Sequence, residues 1–541
     1  MRLSPCMVAM ALFGCTPPTN GGPCQSFGTG EEPCRQQLYF PSGLAFDPAE
    51  PNVADDRNVL YVASGNADLR YSGGTVAAID VDRFECAAAI AAGEPSRSPA
   101  QCDAAQAMSD ATGCRPSAID PAIVECDETP FMVSAVKVGN FAGSIRLQRR
   151  TGDPKGFNRR LWLTVRGDPS VTFVNAIKPY RASLTKDPRS LPAHLDCEAS
   201  NSDPNHLEHC SGQRLTVRDF TASGGCQGDA ECPSGSACTK GRCDPVALPP
   251  EPFGLFLNEG LDGAGHPYAH LAVAHLLSGQ VTLINAAAAN PASTAEVAPT
   301  EPVVLDVRGG LLPADRNGRR GAFALAPLHV GDAQSLWFLS SRLSASIALF
   351  RVSSTEPPQI VPAGLFSVAG AFATGDDVRD LQVQEDGSRA FFLQNHPPSL
   401  FTLDVRQFSP SGESTLPADQ VVDIVPVCEG PSRIGLRQWQ ETGAEGAPPR
   451  TVTRVFVVCF VTGQVAVIDP DLGAMAANIL VGRGPNEIAF NFSSGVAPPL
   501  HRRAYVTNYT DSTVAVIDLD RGSRTENRVI ARIGITSPPG N

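Results

Sequence analysis

The chain has no apolar run near the ~20 residues that a bilayer-spanning helix needs. It is also short of positive charge, with 43 Lys and Arg against 56 Asp and Glu and a formal net charge of −13. That balance argues against a nucleic-acid-binding surface, because affinity for phosphate comes from clustered Lys and Arg. Several short catalytic and binding motifs are missing as well. There is no Gly-x-Ser-x-Gly elbow, no phosphate-binding loop and no EF-hand-like calcium loop. No Cys-x-x-Cys-His occurs, which excludes covalent haem of that type. Turn chemistry is what the chain has in quantity: 49 Gly and 47 Pro in 541 residues that are still 42% hydrophobic. Such a mix suits many short strands joined by many turns, and not a disordered chain.

The N-terminus carries the one membrane signal. Arg2 precedes an apolar segment from Met7 to Phe13, followed by Gly14 and Cys15, the layout of a secretory signal over residues 1–14. Because the run Leu12-Phe13-Gly14-Cys15 ends on Cys, it resembles a bacterial lipobox. The resemblance implies that Cys15 becomes a lipidated N-terminus, with residues 15–37 as a Pro- and Gly-rich tether. Thr16 after it resembles lipoproteins sent to the outer membrane, so the expected location is the bacterial outer membrane or cell surface. Losing Cys6 with the signal and Cys15 to lipid leaves fourteen of the sixteen cysteines, an even number, as an oxidising compartment would require.

One six-residue strand pattern recurs seven times. It reads Thr75–Asp80, Ser170–Asn175, Gln280–Asn285, Ser346–Arg351, Ser399–Asp404, Gln464–Asp469 and Thr513–Asp518. Each copy opens on a small or amide residue and runs through four mostly apolar ones. All but the fourth end in Asp or Asn, a turn-initiating residue. The position after the first aliphatic is Ala or Thr in six copies, with Phe401 the exception. Strands apolar on both faces need cover on both faces. An apolar partner strand precedes each copy, as in Leu60–Ala63 and Ala504–Thr507. A third element comes earlier still, clearest in Gly484-Pro485-Asn486-Glu487-Ile488-Ala489-Phe490 and related in Gly430–Ile434, Pro252–Phe256 and Pro41–Phe46. A fourth, such as Asn478–Gly482, follows.

Tyr505-Val506-Thr507-Asn508 followed by Thr513–Asp518 resembles the YVTN-type β-propeller repeat. The expectation is therefore an all-β, seven-bladed β-propeller of four-stranded blades over residues 38–541. Steps between the terminal Asp/Asn positions are 95, 110, 66, 53, 65 and 49 residues, against ~40–50 for a bare blade. The first two steps therefore carry disulfide-rich loop insertions, at about 84–130 and 180–248. Cys86, Cys102, Cys114 and Cys126 fall in the first, a stretch without a strand pattern. Cys197, Cys210, Cys226, Cys232, Cys238 and Cys243 fall in the second, and disulfides are expected to pin both down. Residues 225–244 resemble the small Cys-rich modules of secreted bacterial proteins.

Residues with a claim to chemistry are few. His194, His206 and His209 are candidate metal ligands in a loop, with polar residues of a pinned insertion as the alternative. His270 and His275 are five apart on a strand and point to opposite faces. Asp80, Asp404, Asp469 and Asp518 repeat at equal positions, which suits turn capping better than catalysis. Arg149-Arg150, Arg159-Arg160 and Arg319-Arg320 read as solvated loop charges. No catalytic residue and no cofactor is expected. The expected function is a cell-envelope lipoprotein, membrane-held through Cys15, whose propeller is a binding scaffold for protein or glycan ligands. The alternative is a propeller enzyme, either a lactonase-like hydrolase or a quinone- or metal-dependent oxidoreductase.

Overall fold

The protein, seen in a computed structural model, is described over residues 37–536 apart from internal stretches, chiefly 95–101, 182–189, 198–206, 216–235, 287–301, 368–375, 407–420, 442–449 and 492–501. The signal, Cys15 and most of the tether lie outside the described residues. Seven antiparallel sheets follow one another along the chain, each built from four sequential strands. Blade 6 shows the unit: Pro431–Glu441, Arg450–Cys459, Gln464–Asp469 and Ala474–Leu480, from the axis outwards. The second and third strands are almost wholly buried, as in Val59–Ser64, Gly74–Asp80 and Thr513–Asp518. Neighbouring blades cover both their faces, and each interblade layer is a separate apolar cluster. Small residues at the centre of the third strand (Ala77, Thr172, Thr282, Ala348, Ala466, Ala515) let those sheets approach. Phe401 is buried in the layer between blades 4 and 5.

A second regularity sits at the start of every innermost strand. In six blades the residue preceding it has positive φ (Phe40, Phe141, Glu251, Gly321, Gly430 and Gly484), and in blade 5 the strand's second residue, Asp377, does; all seven lie between 52° and 68°. A register shift, the mark of a β-bulge, follows within four residues of each left-handed residue. In six blades the carbonyl of the left-handed residue accepts from the first N–H beyond the second strand, as in Phe460 N to Gly430 O at 2.8 Å and Tyr509 N to Gly484 O at 2.8 Å. Gly430 and Gly484 must be glycine here, because a Cβ would run into Val461 and Thr510 respectively.

The first insertion is structured. Asp80 caps helix α1 (Val81–Ala91) by accepting from Arg83 N, and helix α2 (Ala104–Asp110) follows. The Cys86–Cys102 disulfide and the Arg83–Asp110 ion pair join the two helices. Contrary to the strandless reading, Cys114–Pro116 and Val124–Cys126 then form a hairpin bridged by Cys114–Cys126. Its second strand pairs in parallel with Arg528–Ile533, the outermost strand of blade 7. The last blade, whose 49-residue step is that of a bare blade, thus carries two extra strands on its edge. Ring closure also uses Asn486 Nδ2 to Ser42 O (2.6 Å) and the stacked rings of Phe46 and Tyr505.

In the second insertion Cys197 is bonded to Cys210, and the segment at Glu208–Cys210 pairs with Lys137 on the edge of blade 1. Cys226 and Cys232 lie outside the described residues. Cys238 and Cys243 stand opposite each other in a short hairpin. A fourth disulfide among the described residues, Cys428–Cys459, joins two segments of blade 6; neither cysteine belongs to a cluster in the sequence, so nothing local marks the pair.

The Arg pairs need correction. Arg150, Arg159 and Arg160 are buried. Arg159 binds Asp47 (2.7 Å) and Glu50 (2.5 Å), beside a buried Lys178 that lies 3.5 Å from both Asp47 and Asp56. Arg160 donates to Asn175 at 2.9 Å and covers the Phe173 ring. Sequence adjacency suggested a loop, but both residues open a second strand, where covering blades bury them. Arg149 and Arg319 are exposed, as expected.

Glu125 and Arg532 form a buried pair (3.1 Å) at the closure, and Glu125 also accepts from the Thr536 hydroxyl at 2.5 Å. Glu125→Ala leaves the guanidinium without its carboxylate, at a cost of about 3 kcal/mol. Urea unfolding should show that loss, with faster hydrogen exchange in 528–533. Unchanged stability would mean that the hairpin does not secure the closure.

Candidate functional site

The innermost strands begin, and the second strands end, on one face of the disc. Third strands run away from that face. Asp80, Asp404, Asp469 and Asp518 therefore sit on the opposite face, each accepting a turn hydrogen bond. Asp469 accepts from Asp471 N and Leu472 N, and Asp404 from Arg406 N. Asp518 takes Asp520 N, Ser523 Oγ and Thr525 Oγ1 as well as the Arg503 guanidinium. Their job is capping.

Departures from sevenfold likeness gather on the other face. Counting from the left-handed residue, the third position of each innermost strand reads Gly43, Ser144, Gly254, Ala324, Asp380, Arg433 and Glu487 around the ring. Blades 1–4 supply small side chains there. Blades 5–7 supply an acid, a base and an acid. Arg433 holds Glu487 (3.3 Å) and donates to Ser144 Oγ (2.9 Å) across the axis. Asp380 is buried and accepts from Ile434 N at 2.7 Å. Burial pushes its pKa up to about 6, against the pull of the Arg433 charge and of the Ile434 hydrogen bond and with a further push from Glu487. These groups line an axial cavity of about 150 Å³.

Above it lies a mouth of about 680 Å³, also lined by Arg433. Two further rings shape it. The second position of the innermost strand gives Phe253, Phe323, Arg379, Ser432 and Asn486. The residue after the second strand gives Arg166, Arg342 and Phe460, and the penultimate residue of the blade 5 second strand gives Asn395. Phe253 and Phe323 touch, with ring centroids 4.2 Å apart, and the Arg433 guanidinium lies over both. Arg166 binds Glu251 at 2.7 Å, and Arg379 forks onto Asp377. Glu251 and Asp377 are two of the left-handed residues, so the strained backbone delivers the carboxylates that hold these guanidiniums. An aromatic rim, Phe40–Tyr509–Phe460, adjoins the mouth.

The candidate metal ligands belong to the second insertion. His194 pairs in the short outer strand of blade 2, His209 Nε2 lies 3.1 Å from Arg214 Nη2, and His206 is outside the described residues. No group of three His, Cys, Asp or Glu suited to a metal ion occurs among the described residues. His275 is buried against Thr282 (2.8 Å), while His270 lies beside the Tyr268 ring.

The fold defines the class: a seven-bladed β-propeller. No protein-family model matches the chain, and no curated protein is recognisably similar in sequence. Among solved structures the chain is similar to a putative 6-phosphogluconolactonase from Bacteroides uniformis (10% identity, 81% of this chain and 85% of that one, TM-score 0.39). It is similar also to a periplasmic gluconolactonase of Pseudomonas aeruginosa (14%, 73% and 96%, 0.34) and to apo AztD from Citrobacter koseri (13%, 82% and 88%, 0.32).

Asp380 binds its proton more tightly folded than unfolded. It therefore contributes stability that is complete below pH 3.8 and lost as pH climbs to about 6. Relative to Asp380→Asn, the wild type should lose urea resistance between pH 4 and 7. Parallel pH profiles for the two proteins would show that Asp380 is not buried in this way.

Proposed function

We propose that the protein is an exported binding propeller of the cell envelope, held to the membrane through lipid on Cys15, that takes protein or glycan ligands at its axial mouth. The observation that carries this reading is the concentration of unlike side chains in three rings on one face of an otherwise repetitive fold. Arginines held by carboxylates and flanked by phenyl rings dominate that mouth. A guanidinium stays charged at every accessible pH, so it orients and neutralises a ligand without exchanging a proton. Such a lining favours recognition over turnover. The YVTN-type repeat in blade 7 and the lipobox-like start support the same reading.

Asp380 favours a second reading, a lactonase-like hydrolase. A buried carboxyl that titrates near pH 6 is suited to general acid–base work. In that case the Arg433–Glu487 pair beside it would position a substrate carbonyl.

Fractionation and turnover separate these readings. Wild-type chain should sediment with membranes and full-length Cys15→Ser should not. Incubated with envelope glycans and peptides, the soluble variant should retain its ligand chemically unchanged. Conversion of many equivalents, abolished by Asp380→Asn, would establish the hydrolase instead.

A further inference from the structure

Among the mouth arginines, Arg342 is different. Arg166 and Arg379 each have a carboxylate within 2.7 Å. Arg342 has only Asp377, at 3.7 Å, beyond hydrogen-bond reach and already forked by Arg379. Its guanidinium makes no hydrogen bond among the described residues, although it carries five donors. It is 42% exposed, lies over the Phe323 ring at 5.8 Å, and lines the cavity. Its surroundings are cationic: burial first, then the charges of Arg379 and Arg166, hold its pKa below the usual guanidinium range. Four guanidiniums, those of Arg166, Arg342, Arg379 and Arg433, therefore line a space to which Glu429 adds one carboxylate, while Glu251, Asp377 and Glu487 mainly serve Arg166, Arg379 and Arg433.

We propose that the mouth is a site for a small organic anion, whose carboxylate or phosphate oxygens are taken by the fork of Arg342 and whose apolar body rests against Phe253 and Phe323. This rests on the mouth being a binding site and adds the chemical class of the group that enters it. The fork geometry of a guanidinium matches two coplanar or tetrahedral oxygens. A cavity of about 680 Å³ exceeds what an inorganic ion needs and falls in the range of organic ligands. The anion relieves the mutual repulsion of the mouth arginines, so its affinity weakens with added salt.

Three probes that share a phenyl ring isolate the charged group: benzoate, phenyl phosphate and neutral benzyl alcohol, titrated calorimetrically into full-length Cys15→Ser protein. Both anions, or one of them, should bind, and benzyl alcohol should bind at least roughly tenfold more weakly. Benzoate alone would assign a carboxylate and phenyl phosphate alone a phosphate. Arg342→Gln should weaken the anion at least roughly tenfold, with Arg342→Lys between them because it keeps charge and loses the fork. Melting curves check that both variants fold. Equal binding of benzyl alcohol would overturn the anion assignment and leave the binding mouth standing. Failure of all three probes, or an Arg342→Gln variant that binds as well as wild type, would overturn the proposal outright.

Discussion

A left-handed residue followed by a bulge, at the start of every innermost strand, is the constraint on which the site depends. Adding a residue to one strand of an antiparallel pair bends it and re-aims its side chains. Here it brings the second and third residues of each innermost strand to the mouth and the channel. Three blades meet the constraint with glycine. Phe40, Phe141, Glu251 and Asp377 meet it at a cost of about 1 kcal/mol each. Two of those four are the carboxylates that clamp Arg166 and Arg379. Backbone strain and site chemistry thus fall on the same residues, as expected where surrounding packing over-determines the backbone.

The body of each blade explains why that strain is tolerated. Second and third strands are sealed between neighbouring sheets, and the ring is closed by apolar packing, two hairpin strands and the Glu125–Arg532 pair. Three of the four disulfides among the described residues fall where the fold departs from its repeat, and the fourth, Cys428–Cys459, lies within blade 6. The first three tie α1 to α2, close the hairpin on blade 7, and pin the blade 2 insertion against blade 1. The charged groups of the outer face, Asp47 with Arg159 and Lys178, are structural in the same sense, because each is matched and buried.

Much of the fold was legible from the third strand alone, because burial on both faces forces a continuous apolar run with a small residue at its centre. The same strand drew attention to the wrong face. Its closing Asp is the most regular feature of the sequence, and regularity there reflects turn capping. The informative signal lay in the weaker element before each hairpin, where Gly430-Pro431-Ser432-Arg433 and Gly484-Pro485-Asn486-Glu487 keep one backbone and change the third residue. Arg166 and Arg342 each directly follow a clear second strand. Their convergence depends on circular arrangement, which no local pattern encodes. The buried Arg159 and Arg160 were misread because adjacent charges look solvated until a neighbouring blade is placed over them.

The most direct measurement is the location of bromide ions by anomalous scattering in crystals of the protein soaked in sodium bromide. The strongest site is expected inside the mouth, among Arg166, Arg342 and Arg379. Bromide spread over outer loops, with the mouth empty, would contradict it.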